Sequence, residues 1–196
     1  MTKLQQQMEF LTKIDDVKGI LRQSVIMGDI EHRENDAEHS WHMAICAMTL
    51  AEYFTLGKVN MERVLMMILL HDVIEVYAGD TPAYSQYSKD EKHAKEVEAA
   101  HKIFGMLPDE QYRQYFALWD EFERYETIDS KYANVMDRFQ GFMQNTTSDG
   151  HTWRKFNPSE AMVLDRMKPV IDYAPQLFEE IMKPYIQKYK DMGIIK

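Results

Sequence analysis

Residues 60–77 read Asn60-Met61-Glu62-Arg63-Val64-Leu65-Met66-Met67-Ile68-Leu69-Leu70-His71-Asp72-Val73-Ile74-Glu75-Val76-Tyr77. Apolar side chains fill the run from Val64 to Leu70 and return at Val73, Ile74 and Val76. That density predicts a long helix buried on most of its circumference. Asn60 has the short polar side chain that caps a helix, and Gly79-Asp80-Thr81-Pro82 supplies the turn residues that end one. Three ionisable residues interrupt this apolar stretch. An aspartate is almost never buried without a partner, because an isolated carboxylate loses its hydration. Glu75 follows His71 by four residues and Asp72 by three, so the three side chains project from one side of the helix.

The neighbouring stretches offer matching groups. Ala37–Phe54 is a second long apolar helix, set off by a turn at Gly57, and carries Glu38-His39-Ser40-Trp41-His42. Ile128–Gln144 is a third, with Ala133, Met136, Phe139, Gln140 and Met143 spaced for one buried face and Asp137 among them. Two imidazoles and two carboxylates from three helices make a ligand set for a divalent metal, with positions left for water and substrate oxygens. A buried dication also offsets the desolvation of Asp72 and Asp137. Taken singly, these assignments are weak: a lone buried histidine is usually a satisfied core residue, and Asp137-Arg138 is usually a surface ion pair. The His-Asp-x-x-Glu spacing inside an apolar run is the specific signal.

The rest of the chain reads as one helical domain. Its 196 residues fit about one domain. Hydrophobic residues at 45% and charged residues at 28% exclude disordered and low-complexity classes. About nine helical segments are expected in an all-α bundle, with no sheet, because no run alternates apolar and polar residues. Thr2–Lys13 places Leu4, Met8 and Leu11 at helical spacing, and Asp15–Arg22 reads as a short helix with Val17, Ile20 and Leu21 inward. Ser24–Asp36 and Asn145–Asn157 read as polar loops, and the loop reaching Ser88 has the composition of an exposed lid. Lys89–Met106 is charged and expected on the surface. Helices over Pro108–Glu126, Pro158–Tyr173 and Pro175–Met192 complete the set, and the 15 methionines are expected to fill the core.

Charge and cysteine content narrow the function. A net charge of −9 repels phosphate backbones and argues against a polymeric nucleic acid partner. A small anionic substrate remains compatible, since one cation reverses a local field. The single Cys46 excludes an intramolecular disulfide, the polar start MTKLQQQ is unlike a secretory signal, and no apolar run approaches the ~20 residues of a membrane span. A cytoplasmic protein is expected.

Arg33-Glu34-Asn35-Asp36-Ala37-Glu38-His39-Ser40-Trp41, then His71-Asp72-Val73-Ile74-Glu75 with Gly79-Asp80-Thr81, then Asp137-Arg138 resemble the HD-domain metal-dependent phosphohydrolases, closest to the 5′-deoxynucleotidase branch. The resemblance runs from about Asp15 to the C-terminal helix. It implies an all-α fold, a homodimer, and one divalent ion (manganese, cobalt, magnesium, zinc or iron) held by His39, His71, Asp72 and Asp137. It further implies that Glu75 positions or deprotonates the attacking water, and that Asp80 takes part in proton transfer or leaving-group handling. The resemblance makes Arg22 the nearest candidate for the phosphate-binding arginine, either Arg22 or Arg33 being able to hold phosphoryl oxygens by bidentate hydrogen bonds. Gln23 stands where the nucleotidase branch has a tryptophan. The implied activity is release of phosphate from (deoxy)nucleoside 5′-monophosphates. Two other readings are a binuclear enzyme recruiting His93 and His101, and a non-catalytic binding module.

Overall fold

The computed structural model describes residues 1–79 and 89–196. Helix α1 (Lys3–Lys13) starts at a capping box in which Thr2 and Gln5 exchange hydrogen bonds, and a 3-10 turn follows over Ile14–Gly19. Strands β1 (Leu21–Ile26) and β2 (Asp29–Asn35) then form an antiparallel hairpin about Gly28, whose φ of +84° suits glycine. Two expectations are corrected here. The Asp15–Arg22 helix stops at Gly19, so Arg22 lies on a strand, and Ser24–Asp36 is mostly hairpin rather than loop. Val25 and Glu34 are the ribbon's buried residues and the others are half-buried or exposed, so the alternation that marks a strand is missing.

Asn35 ends the hairpin and caps α2 (Asp36–Leu50) through a box with Glu38. This junction brings Asp36 and His39 into the first turns of a helix, on its buried face. Helix α3 (Met61–Leu70) is capped by Asn60, as the sequence suggests. The expected single helix to Tyr77 is interrupted, however. His71–Ile74 tightens into a 3-10 turn, and one further helical turn, α4 (Glu75–Ala78), ends at Gly79 with φ +71°. The Asp80 assignment and the proposed lid lie outside the described residues.

Helix α5 (Lys89–Phe104) is not simply a surface helix. Its C-terminal half buries Ala99, Ala100, Ile103 and Phe104. After α6 (Asp109–Arg124) comes the central α7 (Ile128–Thr147), with Tyr132, Val135, Met136, Phe139 and Phe142 buried. The expected polar loop after it contains α8 (His151–Phe156), whose first amides donate to the side-chain oxygen of Asn145. Helix α9 (Glu160–Tyr173) leads to a rod over residues 175–191 with a π-helical turn at Phe178–Met182. The α1 stripe of Leu4, Met8 and Leu11 is exposed, and Phe10 is the residue that anchors this helix. Methionine fills the core at Met43, Met67, Met136, Met167 and Met182, whereas Met27, Met48, Met162 and Met192 face solvent.

Two apolar clusters result. The larger joins α2, α3, α7, α9 and the C-terminal rod, and the smaller joins α1, the 3-10 turn after α3, α5 and α6. Leu70 touches both. The next residue is His71, so the chemistry-bearing turn sits where two rigid cores meet.

Candidate metal centre

His71 comes from the 3-10 turn and His39 from α2, and their rings lie 5.5 Å apart between centroids. Both rings are buried and both are held at Nδ1. That of His71 faces the Ile68 carbonyl at 2.7 Å, and that of His39 faces Gln140 Oε1 at 2.7 Å. Each contact makes Nδ1 a protonated nitrogen and leaves Nε2 as the one that can bind a cation, after losing any proton it carries. Neither Nε2 makes an aligned hydrogen bond; each faces a carboxylate oxygen instead.

These nitrogens face carboxylates. Asp72 Oδ2 lies 3.0 Å from His71 Nε2 and 3.9 Å from His39 Nε2, and Asp137 Oδ1 lies 3.2 Å from His39 Nε2. Donor atoms of His39, His71 and Asp72 all fall within 4.8 Å of one another, and Asp137 joins them through His39. Arg138 flanks Asp137 at 2.9 Å. His42, two imidazoles being needed and three available, lies instead near Gln140, its Nδ1 3.2 Å from the amide nitrogen.

Arg22 reaches in from β1 and donates through Nη1 to Asp72 Oδ2 at 2.6 Å and Asp36 Oδ1 at 3.1 Å. Arg33 is placed differently: its Nε and Nη2 donate to the carbonyls of Arg22 and Leu21, so it fastens the hairpin. Gln23 turns to Lys155, accepting its Nζ at 2.8 Å. Asp36 escaped the sequence reading, since a first-turn aspartate ordinarily only complements the helix dipole. It is fully buried, and Arg22 is its side-chain partner.

Protons balance this concentration of carboxyl groups in the metal-free protein. Burial opposes charge on His71, but Asp72 and Asp137 outweigh it and raise the imidazole to about 9. Burial, with Asp72 and Asp36 nearby, raises Glu75 to about 11. Burial and Asp72 also raise Asp36, to about 6. Asp72 and Asp137 move the other way: burial alone would raise both, but His71 and Arg22 hold Asp72 ionised, and Arg138 and His39 hold Asp137. Two protons, on His71 and Glu75, thus carry the charge that one dication supplies. Imidazole nitrogens that face ionised aspartates, and this charge balance, both fit a divalent ion.

The architecture and the site define the class first: an α-helical protein built around a buried histidine–aspartate centre. The HD domain matches residues 14–178, and the chain belongs to the HD-domain family. It is 26% identical over 137 residues to human 5′-deoxynucleotidase HDDC2, a match spanning 70% of this chain and 65% of that one, just under two thirds of the relative's length. It is 29% identical over 152 residues to Schizosaccharomyces pombe 5′-deoxynucleotidase hdd1, covering 76% and 73% of the two chains. Among solved structures, a protein from Magnetospirillum magnetotacticum described as a predicted metal-dependent phosphohydrolase superposes with a TM-score of 0.84 at 37% identity. That match covers 98% of this chain and 93% of the other.

Proposed function

We propose that this protein is a divalent-metal-dependent phosphomonoesterase that releases phosphate from (deoxy)nucleoside 5′-monophosphates. The carrying observation is the convergence of two buried Nε2 atoms, on His39 and His71, with the carboxylate oxygens of Asp72 and Asp137. The similarity to 5′-deoxynucleotidases supports the substrate class. His39, His71, Asp72 and Asp137 hold the ion. When bound, it supplies a water of lowered pKa and neutralises charge on a phosphate oxygen.

The chain's own groups complete the reaction. Glu75, whose Oε2 is buried without a hydrogen-bond partner, is placed to take the water's proton once its own has left. Arg22 already spans two carboxylates at the centre and offers its remaining N–H groups to the phosphate. Arg33 acts indirectly, by holding the backbone on which Arg22 sits. Asp80 is assigned proton transfer or leaving-group handling on the resemblance. We assign the protein a homodimer whose contact uses the exposed Trp41, Ile45 and Met48 of α2, with Ile181 near Ile45. We place the protein in the cytoplasm; among the described residues, no helix is long and apolar enough to cross a membrane.

Purified protein, stripped of metal and refilled with manganese, cobalt, magnesium, zinc or iron, should liberate phosphate from a panel of 5′-monophosphates, with Asp72→Ala inactive. Absence of turnover on every member with each metal refutes the proposal.

One observation favours a binuclear reading. His93 and Glu96, one turn apart on α5, meet Glu123 of α6 with donor atoms within 4.8 Å. His101, by contrast, stacks on Phe116 and faces the Tyr112 hydroxyl. One ion per chain supports the mononuclear reading; two ions, the second lost on His93→Ala, support the binuclear one.

A further inference from the structure

Glu34, on β2, is 1% exposed although it is a carboxylate. Three neutral donors hold it. Gln140 Nε2 and Gln144 Nε2 donate to Oε1 at 2.6 and 2.7 Å, and Ser24 Oγ donates to Oε2 at 2.8 Å. A buried carboxylate is retained only where its oxygens are satisfied, so this arrangement is built rather than incidental.

Its consequence follows from hydrogen-bond polarity. An ionised carboxylate accepts and cannot donate, so Gln140 must turn its NH2 toward Glu34. The amide oxygen then faces the other way, 2.7 Å from His39 Nδ1. An amide oxygen only accepts, so Nδ1 must carry the proton and Nε2 must carry the lone pair. The second N–H of Gln140 lies 3.2 Å from His42 Nδ1, which leaves the amide no reason to flip. His71 needs no such relay, because the Ile68 main-chain carbonyl sets its tautomer.

We propose that Glu34 is a positioning residue which, through Gln140, fixes the tautomer of His39 and aims its Nε2 at the metal centre. The inference rests on the metal-centre reading above and deepens it. It also gives the hairpin a purpose: β1 delivers Arg22, and β2 delivers Glu34.

Glu34→Gln tests it, because a glutamine can present either end to Gln140 and no longer dictates the amide's direction. Cobalt titration followed by visible absorption should show affinity weakened about 10- to 100-fold, as is typical for loss of a partner behind a metal-binding histidine. Ser24→Ala, which removes another bond to the same carboxylate without touching the relay, should bind cobalt as the parent does. Nitrogen-15 spectra of the metal-free parent should show His39 protonated at Nδ1, and those of Glu34→Gln a mixture of tautomers. The proposal is overturned if folded Glu34→Gln binds cobalt normally, if Ser24→Ala loses as much affinity, or if parental His39 carries its proton on Nε2. A variant that fails to fold leaves the parental spectrum to decide. A parent with this tautomer that binds no cobalt sinks the metal-centre reading and not the relay.

Discussion

Metal binding to this protein should expel protons, and their number can be worked from the site. At pH 8 the metal-free centre holds one proton on His71, raised to about 9, and one on Glu75, raised to about 11. A cation bound at His71 Nε2 must displace the first. Glu75 owes its raised value to burial together with Asp72 and Asp36, so neutralising Asp72 releases the second. Manganese binding at pH 8 should therefore release about two protons, falling to about one above pH 9. Apparent affinity should accordingly rise by about tenfold per pH unit for each proton displaced. Titration calorimetry in two buffers of different ionisation enthalpy counts these protons directly. No release, with affinity flat between pH 6.5 and 8.5, would refute the charge balance proposed for the centre.

Other outcomes are tied to single groups. Without metal, stability should fall as pH rises from 6.5 to 9. Folded His71 keeps its proton to about 9 while the unfolded chain releases it near 6.5, so the folded state binds more protons across that window. The contribution lost is about 3 kcal/mol, readable from urea midpoints in EDTA, and Glu75 acts in the same direction. Asp72→Ala strips both His71 and Arg22 of their buried partner and should cost about 3–5 kcal/mol as well as metal binding. Arg22→Ala should lower kcat/KM for a 5′-monophosphate roughly 100-fold, about 3 kcal/mol for charged hydrogen bonds to phosphate. Arg33→Ala should lower the melting temperature while changing kcat/KM by less than about tenfold, which separates phosphate binding from hairpin support.

Much of the bundle is legible in the sequence because its helices bury one continuous stripe, as in α7, where Ala133, Met136, Phe139 and Gln140 are buried. The hairpin is not, since Val25 and Glu34 are its buried residues and neither creates an alternating pattern. The break at His71 is equally hidden. No glycine or proline marks it, and the 3-10 turn arises where α3 passes from one core cluster to the other. Within the site, His71, Asp72 and Glu75 stand out as ionisable groups in apolar surroundings. His39 and His42 cannot be told apart by spacing, being three residues apart on one helix, and tertiary packing puts only His39 against Asp137. Glu34 and Gln140 are 106 residues apart in sequence, so their pairing leaves no local trace.

The most direct measurement is anomalous diffraction from crystals of the protein grown with manganese. A single strong peak enclosed by His39 Nε2, His71 Nε2, Asp72 and Asp137, absent from Asp72→Ala crystals, is the expected result. A fully occupied manganese found elsewhere, with these four side chains left uncoordinated, would contradict the account.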